Sequence, residues 1–379
     1  MKHQLRGLSR TIGLVALLSM IAAGTGVADA AGVRSAAPAT VYDGTTALGS
    51  TFFPSSVVVA PGGRQAFVGV TATSTGPTGY SAALDVLDTT TGAVTATIAL
   101  PAPSSEVIEQ LGFSPDGSRL YALTGQTLSV VNTTTDTVLT SVTAPAQTTA
   151  QGWLQGTLSG LAVSPDGSSV YVSQSGATAY RQNGPARLLV FSTAASAFTT
   201  SVQLPGAYGY ADDVLVRGNG RDAYVSTGAG LVHVAVGGAQ PTVVATVAQP
   251  ASEHGTDGAV ISPDGTKVYA IANGTGLVHV ISTATDTITS TITVVSGYAD
   301  LRYPTVSSDG STLYAVNDDV SNGPSVAVAD IATGRLGDPL TDLDADEIWG
   351  AALSADSGTL LLAGTSADSG GLLQFQPTS

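Results

Sequence analysis

What the sequence lacks narrows it first. None of its 379 residues is cysteine, so no disulfide holds the fold, and an oxidising compartment is tolerated but not exploited. The same absence removes the thiol through which a lipid anchor would be attached. Charged residues make up only 11% of the chain, and their balance is acidic, net −15. A surface of that sign repels nucleic acid and anionic lipid while favouring cations, which excludes nucleic-acid binding. There is no G-x-S-x-G elbow, no H-E-x-x-H, no Walker loop and no cysteine-based site. The glycine-rich stretches 228–230 and 274–276 are followed by no helix, so they read as hairpin loops rather than nucleotide cradles. No segment carries a convincing helical period.

Long apolar runs are also missing, with one exception at the start. Lys2, Arg6 and Arg10 precede an apolar stretch over 12–23, and Ala28-Asp29-Ala30 then offers an A-x-A cleavage site. That order predicts a secretory signal peptide over residues 1–30, because the apolar stretch falls short of the roughly 20 residues that span a bilayer. No transmembrane segment is expected once it is cleaved. Removing it takes three basic groups and Asp29, leaving 10 basic against 27 acidic residues, net −17. The remaining residues, 31–379, read as a single domain, long by the usual prior unless the chain repeats.

It does repeat. Ser114-Pro115-Asp116-Gly117, Ser164-Pro165-Asp166-Gly167 and Ser262-Pro263-Asp264-Gly265 are one tetrapeptide, with Ser307-Ser308-Asp309-Gly310 a close variant. Weaker copies begin at Ala60, Arg217 and Ser354, which makes seven units spaced by roughly 45–54 residues. Proline presets φ at the second position of a type I turn, aspartate suits the third, and glycine takes the left-handed conformation that returns the chain to a strand. Apolar runs precede each copy and alternating ones follow it. Further on, Val130–Val138 matches Val280–Ile288 around a Thr-Asp turn, and 86–92 matches 328–334. Each unit therefore holds four strands in a meander.

Tyr171-Val172-Ser173, Tyr224-Val225-Ser226, Tyr269-Ala270-Ile271-Ala272-Asn273 and Tyr314-Ala315-Val316-Asn317 resemble the Tyr-Val-Thr-Asn motif of YVTN-type β-propeller repeats. The resemblance covers essentially all of 31–379. It implies an all-β, seven-bladed β-propeller of four-stranded antiparallel blades, a fold found in envelope and surface-layer proteins and in several enzymes. The seventh unit supplies only three strands, while 41–47 and 50–53 resemble the end of a third strand and a fourth. The N-terminal strand is thus expected to complete the last blade and remove an exposed edge.

A meander sorts the loops onto two faces. The Pro-Asp-Gly and Thr-Asp turns fall on one face and are nearly uniform. The crossovers between blades fall on the other and differ from one another, with inserts at 71–81, 174–187 and 317–324. Function tends to sit on such loops. The candidate ligand-binding residues there are Trp153, Tyr208, Tyr210, Asp212, Asp213, His254, Asp300, Arg302, Tyr303 and Trp349, with plugging of the channel mouth as the structural alternative. His233 and His279, each in Leu-Val-His-Val, read as holding equivalent places in two units and are expected to pack. His254, with Glu253 and Asp257, forms the one imidazole–carboxylate cluster that could act as a general base or metal ligand. Asp342, Asp344 and Asp346 carry the alternating spacing of calcium ligands, but Glu347 replaces the sixth-position glycine and Leu353 the closing glutamate. No cofactor is required, and a divalent cation is the candidate. The expectation is a monomeric secreted or cell-envelope binding protein that engages a protein, glycan or small molecule. The alternatives are a lactonase- or lyase-like propeller enzyme at the same face and a structural surface protein.

Overall fold

Each repeat becomes one antiparallel sheet in the computed structural model. It describes residues 42–48, 51–73, 80–101, 107–149, 152–179, 182–206, 209–247, 249–250, 253, 255–296, 299–318, 323–367 and 370–378. The expected signal peptide, Tyr208 and His254 lie outside them. No helix occurs among the described residues. Blades one to five span 51–99, 108–143, 158–203, 211–247 and 256–293, each with four strands in meander order. The sixth blade (301–330) has three. Where its outer strand would lie, the chain makes only two isolated bridges, Val326 to Leu340 and Ala329 to Leu336. The innermost strand of every blade packs against that of the next, and the seventh packs against the first, so the ring closes. This is a seven-bladed β-propeller.

The burial follows from that stacking. Second strands such as Arg119–Thr124 and Asp222–Thr227 lie between neighbouring blades and are buried on both faces. Outer strands such as Thr137–Thr143 and Thr287–Thr293 are half-exposed, and threonine suits them because its β-branched body favours a strand while its hydroxyl faces water.

The tetrapeptide turns hold as their chemistry predicts. In the second blade Ser114 Oγ donates to Asp116 Oδ1 at 2.6 Å, the same oxygen accepts the Ser118 N–H at 3.1 Å, and Gly117 has φ +69°. The proline of one turn also packs beside the glycine of the next blade's turn, Pro61 at Gly117 and Pro115 at Gly167. Three donors around each carboxylate hold Asp116, Asp166, Asp264 and Asp309 down to about 2. In the unfolded chain these groups bind protons near 3.8, so their contribution is present above that value and is lost as pH falls towards 2. Thermal melts should therefore steepen in their acid dependence between pH 4 and 2. A variant with all four aspartates replaced by asparagine should show a shallower fall there, and an unchanged slope would refute the assignment.

The seventh blade comprises Glu347–Leu353, Thr359–Ser366 and Gly370–Pro377, completed by Gly44–Ala47. Gly44 pairs with Phe375 and Ala47 with Leu372 in antiparallel register. The closing strand is shorter than expected, because Thr51 already opens the innermost strand of blade one. Leu48, 3% exposed, packs with Leu361, Leu373 and Phe375 as well as Val57 and Val68 of blade one. The Tyr42 ring meets Phe375 edge-on at 5.4 Å, and its N–H donates to the Thr89 carbonyl. The N-terminal segment thus fastens blade seven to blade one.

Candidate functional site

The innermost strands do more than line the axis. Each contains a β-bulge at the same place, where the register slips against the second strand. The residue at that place stands four before each turn tetrapeptide: Ser56, Gln110, Gly160, Asp213, Gly258, Tyr303 and Gly350. Going round the ring, a side chain is followed by a glycine in most steps. The geometry shows why. A Cβ on Gly160 would lie 2.2 Å from the Asp212 carbonyl oxygen, and one on Gly350 would lie 2.1 Å from that of Ser55.

The side chains in this belt bond across blades. Ser56 Oγ accepts the Leu111 N–H at 3.2 Å, and Gln110 Oε1 accepts the Leu161 N–H at 2.7 Å. With no side chain at Gly160, Gln110 also reaches Asp213, to which it donates, and Asp213 Oδ2 accepts the Ala259 N–H at 2.9 Å. Asp213 is half-buried at the cavity floor beside Asp212. Burial first, then the neighbouring charge, push its carboxyl up to about 7. Tyr303 occupies the belt in blade six with φ +51°. The other described non-glycine residues with positive φ sit in hairpin turns, so this aromatic is a strained exception in a strand, a feature that tends to mark functional sites. Burial pushes its phenol up to about 12.

Above and within the belt lies a cavity of about 660 Å³, lined from all seven innermost strands. It gathers Tyr210, Asp212, Asp213, Asp300, Arg302, Tyr303 and Trp349. Arg302 is held by both oxygens of Asp300, Nε at 3.0 Å and Nη2 at 2.8 Å. The Tyr210 hydroxyl donates to Asp212 Oδ2 at 2.8 Å, and Trp349 meets Phe53 edge-on at 5.9 Å. Most of these residues were read from the sequence as crossover loop. They stand instead in the first residues of the innermost strands, because the bulge lets each strand start earlier than its apolar run. Trp153 does not line the cavity; its ring packs over Gly184 beside a small hairpin, Thr178–Ala179 with Gln182–Asn183. Glu109, Gln110, Ser56 and Ser159 also line the cavity, and sequence reading missed them. The signal was available for two of them: the fixed offset of four residues before each turn singles out Ser56 and Gln110.

Of the expected imidazole–carboxylate cluster, His254 lies outside the described residues and only Glu253 can be placed by its contacts. The Glu253 carboxylate lies 2.8 Å from His279 Nε2, with both side chains 5% exposed, so it faces the body of blade five rather than the channel. Asp257 falls in the strand Thr256–Ile261. His233 and His279 prove not to be equivalent. His233 pairs in register with Tyr224, whereas His279 pairs with Ala270, one position earlier in its blade. A one-residue slip turns a side chain to the opposite face. His233 accordingly sits between Asp222 at 3.2 Å and Asp286 at 2.8 Å, stacked on Tyr224, and ties blade four to blade five.

The acidic run likewise does not form a calcium loop. Asp344 accepts the Thr45 hydroxyl, Asp346 Oδ2 accepts the Ala367 N–H at 2.7 Å, and the Asp342 carbonyl accepts from Gln374 at 3.0 Å. The carboxylates of Asp344 and Asp346 go to separate partners, and with the Asp342 carbonyl they strap the closing blade. Among the described residues no group of three or more His, Cys, Asp or Glu converges to hold a metal ion.

The fold and its axial cavity define a seven-bladed propeller with an open, polar mouth. No family model matches the chain, and no curated protein matches it. Solved structures do. A hydrazine synthase chain from Kuenenia stuttgartiensis superposes with TM-score 0.63 over 87% of this chain and 96% of that one, at 15% sequence identity. That likeness is one of fold alone.

Proposed function

We propose that this protein is a secreted or envelope-associated binding propeller that receives its ligand in the mouth of the axial channel. The observation that carries the reading is the cavity itself. Seven blades converge on a space of about 660 Å³, the size of a small-molecule site, and line it with aromatic rings and a few oriented polar groups. The export signal read at residues 1–30 supports an extracellular setting. Among the described contacts of the cavity no hydroxyl is paired with a histidine, and Glu253 is engaged by His279, so we favour binding over catalysis.

The test is retention. Protein incubated with native culture medium, washed and denatured, should release a bound compound detectable by mass spectrometry. Trp349→Ala should lower retention by about tenfold, the usual cost of truncating an aromatic anchor, whereas Trp153→Ala should leave it unchanged. Equal losses from both substitutions, or none from either, would refute the channel as the site.

A further inference from the structure

The cavity lining is unevenly charged. Glu109, Asp212, Asp213 and Asp300 face a single basic residue, Arg302, whose guanidinium is already clasped by Asp300. Tyr210, Tyr303 and Trp349 stand among these acids. Two classes of ligand fit this poorly. An anion would meet an excess of carboxylates with the one guanidinium occupied. A bare metal ion would need three or more ligands to converge, and among the described residues none do.

From this geometry we infer that the channel binds a small organic cation, an alkyl amine or diamine whose ammonium group sits among Asp212, Asp213 and the aromatic rings. The inference rests on the reading of the channel as a binding site and specifies its ligand class. Spaced carboxylates suit an extended cation better than a point charge, and tyrosine and tryptophan faces attract ammonium groups. An incoming ammonium also relieves the repulsion between Asp212 and Asp213, whose adjacent carboxylates disfavour one another's ionisation. The excess of acid over the whole chain, net −15, adds a field that draws cations in.

The probe is 1,5-diaminopentane, followed by fluorescence of Trp349 in a Trp153→Phe background and by calorimetry, beside glucose and glutarate at matched concentration. Saturable binding of the diamine is expected, weakened at least tenfold by Asp212→Asn and by raising the salt to about 0.5 M. Asp213→Asn should weaken it too, and melts of both variants verify that they fold. Diamine binding that survives both substitutions would mark adsorption to the acidic surface and overturn the inference. Glucose or glutarate bound in a Trp349-dependent manner, with no diamine binding, would overturn the ligand class while leaving the channel as the site. Failure of all three probes, with no compound retained from culture medium, would remove both.

Discussion

Removing residues 1–48 is expected to open the ring and leave a chain that associates. The loss is larger than four strand pairs. Leu48 fills a core shared by the first and seventh blades, and Tyr42 bridges Phe375 of one and Thr89 of the other. Without them the strand Gly370–Pro377 becomes a free edge whose unpaired amides and carbonyls invite another chain. Leu48→Ala alone should cost about 2–5 kcal/mol, the usual range for emptying a buried leucine site. In a domain this size that lowers the melting midpoint by roughly 5–10 °C. Light scattering after gel filtration should show oligomers for the truncation and a monomer for Leu48→Ala. A truncated protein that stays monomeric and melts as the parent does would show that the seventh blade stands on three strands.

Asp213→Asn is expected to stabilise the protein at pH 8 and to lose that advantage by pH 4. The folded carboxyl titrates at about 7 against 3.8 in the unfolded chain. Below the lower value both states are protonated and the group is neutral in effect. Between the two the unfolded chain releases its proton while the folded one keeps it, so stability falls as pH rises, and the full cost stands above 7. An amide keeps an oxygen for the Ala259 N–H and sheds the charge beside Asp212. Because part of the residue still faces the open channel, the gain at pH 8 should be on the order of 1–3 kcal/mol. Melts at the two pH values measure it, and an equal change at both would contradict the buried-charge account. The turn aspartates work in the opposite direction. Together the two sets place maximal stability near pH 4, where the turn contribution is almost complete and the cost at Asp213 has not yet accumulated.

The architecture was legible because most units state it twice, in a Pro-Asp-Gly-like turn and in the apolar, often Tyr-led strand that follows. A short local turn signal does not depend on distant contacts, so seven copies could be counted directly. Closure by the N-terminal strand was legible from the missing fourth strand of the last unit. The site was legible only by residue type. Seven candidates from the variable face converge on one cavity because that face is where the innermost strands begin. Register was not legible. Leu-Val-His-Val looks the same in two units, yet the hairpin before it has two residues in blade four and four in blade five, which reverses the histidine. The partners of Glu253 and Asp344 were hidden for a related reason, since His279 and Thr45 lie far away in sequence.

The belt of Ser56, Gln110, Gly160, Asp213, Gly258, Tyr303 and Gly350 has a consequence of parity. Alternating an occupied and a vacant position works around any even cycle, but an odd one must place two like positions side by side somewhere. Here the clash of counts falls between blades one and two, and serine, the shortest polar side chain in the belt, takes the crowded place. Copying one glycine-bearing blade into that seam would restore perfect alternation, so this chain carries within its axis a preference that an eight-membered ring would satisfy better than its own.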